Sequence, residues 1–227
     1  RCPPSPYERA CLMAAHLQKN RIPAKIVILD PKPRIAPIGL GYKQAFEELY
    51  SKTITYVPNA GVKEIDPFNR VAKTAAGDFK FDDAILGAIG KTADGKPTNW
   101  AAVHPQLYNL KDDPQVYVIG DSVGAVSPQF GHYPKAGHVA NRQGRSVAQY
   151  IAQQAKGQAP TPLLIDNLCY MLVNPDPLEA INVQFDYKIG PEGHLIQTQI
   201  DDNERRLSLW KEDLRWYGLM MDEFARG

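Results

Sequence analysis

The residues best suited to bind a ligand are Gly120 and Asp121, which follow the apolar run at 116–119. Four β-favouring residues in a row predict a buried strand. Ligands in open α/β sheets bind at the carboxyl ends of strands, where a carboxylate can accept hydrogen bonds from hydroxyl groups. Asp121 is therefore a candidate for binding a sugar-alcohol chain. The same residue types also fit a turn or a helix cap.

A second candidate group begins at Lys135, directly before a run in which small residues recur at helical spacing. These small residues are Gly137, Ala140, Gly144 and Ala148. A helix face of small residues allows close approach to a sheet or a ligand. Free N–H groups at the start of this helix, around Ala136 and Gly137, would favour negative charge together with Lys135, such as the charge on the N1–O2 edge of a reduced flavin. The alternative is that Lys135 is a solvated side chain.

The cysteines and histidines do not predict a metal site. Cys2, Cys11 and Cys169 are too few for a disulfide scaffold, and neither they nor the five histidines show metal-ligand spacing. Cys11 falls on the apolar side of a predicted helix and is expected to be a buried small hydrophobe. From the residues alone, Cys2 and Cys169 are two unrelated thiols.

Composition narrows the classes of function. The chain has 227 residues, is 44% hydrophobic and carries a formal net charge of +1. This length allows one large domain or two to three smaller ones. A nucleic-acid binder would need a basic stripe, which this charge balance does not supply. No apolar run approaches the roughly 18 residues that span a bilayer, so no transmembrane segment is expected.

The elements before residue 100 suggest a modified nucleotide-binding unit. Ser5, Pro6 and Glu8 predict a capped helix that runs to about Asn20. A strand at 25–30 then ends in an acid, Asp30. Prolines before the helix leave no N–H groups for a pyrophosphate, so Asp30 is interpreted as structural and NAD or NADP binding is not expected. Short alternating strands then predict a β-meander, at 54–57, 61–65, 70–74, 78–81 and 84–86.

The remaining elements define the predicted domain boundaries. Residues 90–99 and 155–162 read as linkers. Residues 181–187 and 194–200 predict a hairpin before a terminal helix. That helix carries an apolar stripe, interpreted as core or interface packing rather than a membrane contact, at Leu207, Trp210, Leu214, Tyr217, Met221 and Phe224. Three segments result: 1–98, 99–160 and 161–227.

Taken in order, these motifs resemble the flavoprotein subunit of flavocytochrome c sulfide dehydrogenases, which is related to sulfide:quinone oxidoreductases and glutathione-reductase-like flavoproteins. The opening Arg-Cys-Pro-Pro-Ser-Pro-Tyr-Glu-Arg-Ala at 1–10 resembles the start of that family's central domain. Residues 118–121 with 134–144 resemble its second flavin-contacting stretch. Residues 168–170 and the later Trp216-Tyr217 resemble its C-terminal domain.

The resemblance implies an α/β chain: an incomplete two-dinucleotide-binding-domain flavoprotein fold with a β-meander and a small α+β C-terminal domain. The first segment would be a degenerate NAD-domain-like unit, the second a part of the FAD-binding domain, and the third a flavocytochrome-type domain. Asp121, after Gly120, would contact the ribityl chain of FAD, and Lys135, Ala136 and Gly137 would face the flavin's pyrimidine end. Cys2 and Cys169 would form a redox-active disulfide beside the ring.

The resemblance also implies oxidation of sulfide or a related small sulfur compound in the periplasm, with electrons passed to a c-type cytochrome subunit. The family's N-terminal FAD domain is missing from this sequence, so the chain is expected to be a C-terminal portion that holds FAD weakly or not at all and is inactive by itself. The alternatives are an enzyme that resembles sulfide:quinone oxidoreductase and a flavin-free binding or assembly module.

Overall fold

The computed structural model describes residues 4–84 and 100–226. Within them lie four α-helices and eight strands in three sheets, which makes the chain mixed α/β as predicted. The helices are α1 (Ser5–Lys19), α2 (Gly39–Gln44), α3 (Gly137–Ala155) and α4 (Leu207–Arg226). The strands are β1 (Ile26–Leu29), β2 (Ile54–Val57), β3 (Val62–Asp66), β4 (Val71–Thr74), β5 (Gly77–Lys80), β6 (Asn167–Pro175), β7 (Leu178–Ile189) and β8 (Leu195–Arg206).

Helix α1 forms where predicted, but its N-terminus is capped differently. Pro4 takes the N-cap position without a side-chain cap, and its carbonyl accepts hydrogen bonds from the N–H groups of Tyr7 and Glu8. The Glu8 carboxylate accepts a hydrogen bond from the Leu172 N–H of β6, at 3.0 Å, instead of closing a capping box. The predicted role of Ser5 as N-cap is therefore wrong, because a distant strand uses the acid that the box requires.

The first sheet confirms the predicted strand before Asp30. Strand β1 pairs in parallel with β2, so that Ile26 lies opposite Ile54. Asp30 follows β1 and is 3% exposed. Its carboxylate accepts hydrogen bonds from the hydroxyls of Tyr7 and Tyr56 and from the main-chain N–H and side chain of Lys32. This network agrees with a structural role for Asp30.

The predicted meander is present in part, as the antiparallel sheet β3–β4–β5. The strand at 54–57, predicted as its first, is instead β2 and pairs in parallel with β1. Asp66 caps the first turn, where its carboxylate accepts hydrogen bonds from the N–H groups of Phe68 and Asn69. Gly77 opens β5 with a φ of +114°, which a residue with a Cβ rarely adopts. Of the fifth predicted strand, at 84–86, only Ala84 is among the described residues, and the predicted linker at 90–99 lies outside them.

The strand predicted at 116–119 does not form. Tyr117 makes an isolated antiparallel bridge with Asn109, while Val116 and Ile119 are 43% and 42% exposed. An apolar run becomes a strand only when a partner strand satisfies its backbone groups and a second layer covers its side chains. Among the described residues, this run has one bridging partner and no sheet beside it.

The C-terminal sheet, with order β6–β7–β8, joins the rest of the chain together. The predicted hairpin is confirmed as β7 and β8, and β6 extends it on the other side of β7. On one side, Tyr50 donates a hydrogen bond to the Val173 carbonyl at 2.8 Å. On the other, Ser127 donates one to the Leu195 carbonyl at 2.7 Å. The sheet therefore positions residues 4–84 and 100–136 relative to each other.

The stripe predicted on α4 does not face the core. Helix α4 buries Leu209 and Met220, whereas Leu214 and Tyr217 of the stripe are 53% and 58% exposed. Instead, the face of α4 that contains Glu223 contacts α3. There, Nε of Arg142 lies 3.3 Å from Oε1 of Glu223 and forms an ion pair with it. The prediction that this stripe packs into the core is therefore wrong, and the prediction that it forms an interface remains untested.

Candidate functional site

A cavity of about 1270 Å³ lies where the three parts of the chain meet. Residues around α2 and β2 form one wall, residues 132–136 form a second, and the C-terminal sheet forms the third. Aromatic side chains contribute to every wall: Phe46, Tyr56, Trp100, Tyr133 and Phe185. Cavities that bind cofactors are similarly apolar with a few polar groups, and this one is larger than the usual range of about 300–1,000 Å³.

Lys135 supplies a half-buried positive charge at this cavity. Its ammonium group donates a hydrogen bond to the Val123 carbonyl and lies 5.9 Å from the centroid of the Trp100 ring. Burial lowers the pKa of Lys135, and the negative charge of Asp121 partly opposes this shift. Ala136 also lines the cavity, and α3 begins at Gly137 directly after it. Lys135 and Ala136, the N-cap residue of α3, therefore lie at one wall of the cavity, and their binding of a negatively charged cofactor edge stays a prediction.

The turn that carries Asp121 packs against α3. Gly120 begins a short 3₁₀ turn, Gly120–Ser122, and its N–H donates a hydrogen bond to Oε1 of buried Gln143 at 2.7 Å. The small residues of α3 allow this approach, because a Cβ on Gly120 would lie 3.3 Å from the Ala140 Cβ. Asp121 itself is exposed, and Gly120, Asp121 and Gly137 are not among the described residues that line the cavity.

A pair of glycine substitutions tests this packing. Gly120→Ala should lower the free energy of unfolding by about 1–2 kcal/mol, because Gly120 has a φ of +69° and its added methyl meets Ala140. Gly137→Ala should leave stability unchanged or raise it by up to about 1 kcal/mol, since no atom lies within 4 Å of the added Cβ. Urea denaturation measures both; equal effects would contradict the close approach of turn and helix.

Cys169 reaches the same cavity from β6. It lies opposite Val183 of β7, is partly exposed, and its thiol is 3.5 Å from Oδ1 of Asn167. Cys2 lies outside the described residues, so its pairing with Cys169 stays a prediction. Cys11 is fully buried, and burial together with the nearby Glu8 carboxylate raises the pKa of its thiol to about 12. Cys11 is therefore the inert, buried thiol that its position on α1 predicted.

Two cavity residues have no signal in the sequence, Trp100 and His132. Their rings pack with centroids 4.7 Å apart and planes inclined by 58°. The Nδ1 atom of His132 is buried and has no hydrogen-bond partner in the parts of the chain that the structure describes. Buried polar atoms in proteins are nearly always hydrogen-bonded, so an exception beside a cavity points to a ligand. No motif in the sequence marks Trp100 or His132 as a site residue, because only the folding of the chain brings the two to this wall.

Residues 4–84 and 100–226 contain neither a metal site nor a membrane-spanning helix. No group of three or more histidine, cysteine or acidic side chains is arranged to hold a metal ion there. No helix in that part of the chain is both long and apolar enough to cross a membrane.

Comparison with known proteins supports the resemblance seen in the sequence. Residues 1–87 match the family model described as "Sulfide dehydrogenase [flavocytochrome c] flavoprotein chain, central". The resemblance of the opening motif to that central region is thus confirmed. A solved structure, that of reduced Bacillus anthracis CoADR-RHD, aligns over 83% of this chain with 14% identity and a TM-score of 0.40. The present chain spans 42% of the length of that protein, and a similarity at this level does not define the fold.

Proposed function

We propose that this chain is part of a flavin-dependent oxidoreductase that oxidises sulfide or a related small sulfur compound. The observation that carries the proposal is that Lys135 and Cys169, which come from different segments of the sequence, line one cavity. The match of residues 1–87 to the flavocytochrome c sulfide dehydrogenase flavoprotein supports the choice of sulfide. In this proposal, the chain is an incomplete two-dinucleotide-binding-domain fold divided at 1–98, 99–160 and 161–227.

The cavity has the features that a flavin ring requires. Its walls carry aromatic faces, a half-buried cation at Lys135 and an imidazole nitrogen of His132 that has no hydrogen-bond partner among residues 4–84 and 100–226. FAD, when bound, supplies a two-electron acceptor beside the sulfur. Lys135, Ala136 and the start of α3 at Gly137 would hold its pyrimidine end, where positive charge favours the reduced, anionic form. Gly120 would aim Asp121 at the hydroxyls of the ribityl chain.

The sulfur chemistry would take place at Cys169. Hydrosulfide attacks one sulfur of the proposed Cys2–Cys169 disulfide, which forms a new S–S bond and breaks the old one. The products are a persulfide on one cysteine and a thiolate on the other, so no external reductant is needed for this step. The exposed part of Cys169 on the cavity wall gives hydrosulfide access to the bond.

The electrons would leave through a c-type cytochrome subunit, and the protein would act in the periplasm, where a disulfide persists. The cytochrome partner is suggested by the description of the family that residues 1–87 match. The periplasmic location follows only from the sequence resemblance and from the proposed disulfide. A quinone is the alternative acceptor. If the protein with its complete FAD domain shows no flavin absorbance after reconstitution with FAD, the enzyme proposal is wrong, and the alternative of a flavin-free binding module takes its place.

Substitution of Lys135 tests the flavin assignment in the protein that carries the complete FAD domain. Lys135→Met should remove one charge-assisted contact to the reduced ring, which contributes about 1–3 kcal/mol. For a two-electron couple, this loss lowers the flavin reduction potential by about 20–65 mV. Lys156→Met, an exposed lysine at the end of α3, is the matched control. Spectroelectrochemical titration measures the potential. Equal potentials in all three proteins would mean that Lys135 does not contact the flavin.

A further inference from the structure

Asn167 is a buried polar residue at the cavity whose side chain is only partly satisfied. It begins β6, is 1% exposed and lines the cavity together with Cys169. Its Oδ1 atom accepts a hydrogen bond from the Cys169 thiol at 3.5 Å. Its Nδ2 atom is buried and has no hydrogen-bond partner among residues 4–84 and 100–226. An unsatisfied buried amide costs free energy, so an acceptor for Nδ2 is expected.

The register of the C-terminal sheet holds Asn167 and Cys169 on the same face. Asn167 lies opposite Phe185 of β7, and Cys169 lies opposite Val183. Side chains at i and i+2 of a strand point to one side of a sheet, and directly opposite residues share that side. Phe185 and Val183 line the cavity as well. The contact between the Asn167 carboxamide and the Cys169 sulfur therefore follows from the strand itself.

A carboxamide can hydrogen-bond to both protonation states of a neighbouring thiol. Its oxygen accepts from the S–H group, whereas its amino group donates to a thiolate, which can only accept. Rotation of the Asn167 carboxamide by half a turn exchanges the positions of its oxygen and nitrogen. Nδ2 then occupies the place of Oδ1, 3.5 Å from the Cys169 sulfur. The donor that lacks a partner beside the thiol would thus gain one beside the thiolate, in a charge-assisted and stronger hydrogen bond.

We propose that Asn167 is a positioning residue that stabilises the thiolate of Cys169. The thiolate is the reactive form of a cysteine, in alkylation as in sulfur exchange. For the use of this thiolate in sulfur exchange, the inference rests on the proposed function. The stabilisation itself requires no disulfide partner for Cys169, because it depends only on two neighbouring side chains of β6.

The other titratable groups around Cys169 come from several elements. On β7, burial, followed by the charges of Tyr108 and Cys169, raises the pKa of Tyr187, so its hydroxyl is neutral. On α3, burial lowers the pKa of His138, and the Asn167 carboxamide partly opposes this shift. On β8, Asp201 lies opposite Val183, where its negative charge disfavours a thiolate. The groups on α1 and on the other cavity walls include Glu8, Cys11, His132 and Lys135.

The experiment uses the reduced 227-residue chain and iodoacetamide as the probe. The thiolate displaces iodide from carbon, so the rate follows the ionised fraction of the thiol. Mass spectrometry of the Cys169 peptide measures this rate across the pH range of thiol ionisation and gives the pKa of Cys169. Asn167→Leu and the isosteric Asn167→Asp should each raise this pKa by about one unit and slow alkylation at neutral pH about tenfold, because neither side chain supplies the N–H donor.

Asn174→Leu is the matched control. Asn174 is also a buried asparagine of β6, but its side chain donates a hydrogen bond to Glu179 and accepts one from the Asp176 N–H. This variant should keep the wild-type pH profile at Cys169 even if it lowers the free energy of unfolding. Protection of buried Cys11 from iodoacetamide confirms that each variant is folded.

A second measurement needs no substitution of Asn167. In the folded wild-type chain, the nitrogen-15 resonance of the Asn167 side-chain amide should shift with the pKa of Cys169, and Cys169→Ser should remove this titration. An alkylation pKa that is the same in the wild type and both Asn167 variants overturns the inference. The proposed function is decided separately: if Cys169→Ser retains sulfide oxidation in the protein with its complete FAD domain, that function fails, and the alkylation profile still decides the role of Asn167.

Discussion

Cys169→Ser is expected to abolish sulfide oxidation by the protein with its complete FAD domain, while FAD stays bound. The hydroxyl of serine cannot form the disulfide that hydrosulfide attacks, whereas the flavin contacts proposed for Lys135 and α3 do not involve Cys169. Steady-state sulfide oxidation and the flavin spectrum measure the two effects separately. Cys11→Ala is the matched control: it should retain activity, because Cys11 is buried in the core between α1 and the C-terminal sheet.

The same prediction requires a disulfide between Cys2 and Cys169. Peptide mapping under non-reducing conditions, after mild oxidation, should recover the two cysteines in one linked pair. Such a bond closes a loop of more than 160 residues, which in the chain-entropy model stabilises the fold by about 4–5 kcal/mol. If both thiols remain open to alkylation after oxidation, the catalytic assignment of Cys2 and Cys169 is wrong.

Asp30→Ala is expected to lower the free energy of unfolding by about 2–4 kcal/mol, because each buried hydroxyl donor that it leaves unsatisfied costs about 1–3 kcal/mol. The substitution leaves the hydroxyls of Tyr7 and Tyr56 without their acceptor and the side chain of Lys32 without its ion pair. Urea denaturation measures the change as a shift of the midpoint at constant slope. Asp66→Ala is the matched control, since its three hydrogen bonds lie within one exposed turn and should matter much less.

The effect of Asp30 should also depend on pH. Burial would raise the pKa of Asp30, but the hydrogen bonds from Tyr7 and Lys32 and the charge of Lys32 outweigh it and hold the pKa below its usual value. A folded pKa below the unfolded value means that the carboxylate stabilises the fold above about pH 4 and loses this contribution as the pH falls through the folded pKa. The stability difference between wild type and Asp30→Asn should therefore shrink in acid. A difference that stays constant down to unfolding would show that Asp30 is not stabilised as an anion.

Local patterns in the sequence are sufficient for the elements that need no distant partner. The meander β3–β5 follows from short alternating strands and turn residues, and α1 and α3 follow from helical periodicity. The stripe of small residues on α3 predicts close approach to a sheet or a ligand, and the structure shows that its neighbour at Ala140 is the Gly120 turn. Lys135 was likewise identifiable from its place before a helix start.

Other features were decided by contacts between distant segments. Glu8 binds the backbone of β6 rather than its own helix end, and residues 116–119 stay out of a sheet because no strand pairs with them among the described residues. Periodicity alone does not say which stripe of α4 is buried, since the helix carries apolar residues on two faces and the ion pair of Arg142 with Glu223 favours one orientation.

The candidate site shows the same division. The sequence by itself indicated two candidate residues. Lys135 stands directly before a helix start, and Cys169 is singled out by the family resemblance. Only the tertiary structure decided that these two meet at one cavity and that Trp100 and His132 complete its wall. The physical reason is that a cavity is formed by the packing of whole elements, here around the C-terminal sheet that hydrogen-bonds to both neighbouring parts of the chain. Such packing depends on side-chain volumes and on pairing across long sequence separations, neither of which leaves a local pattern around His132.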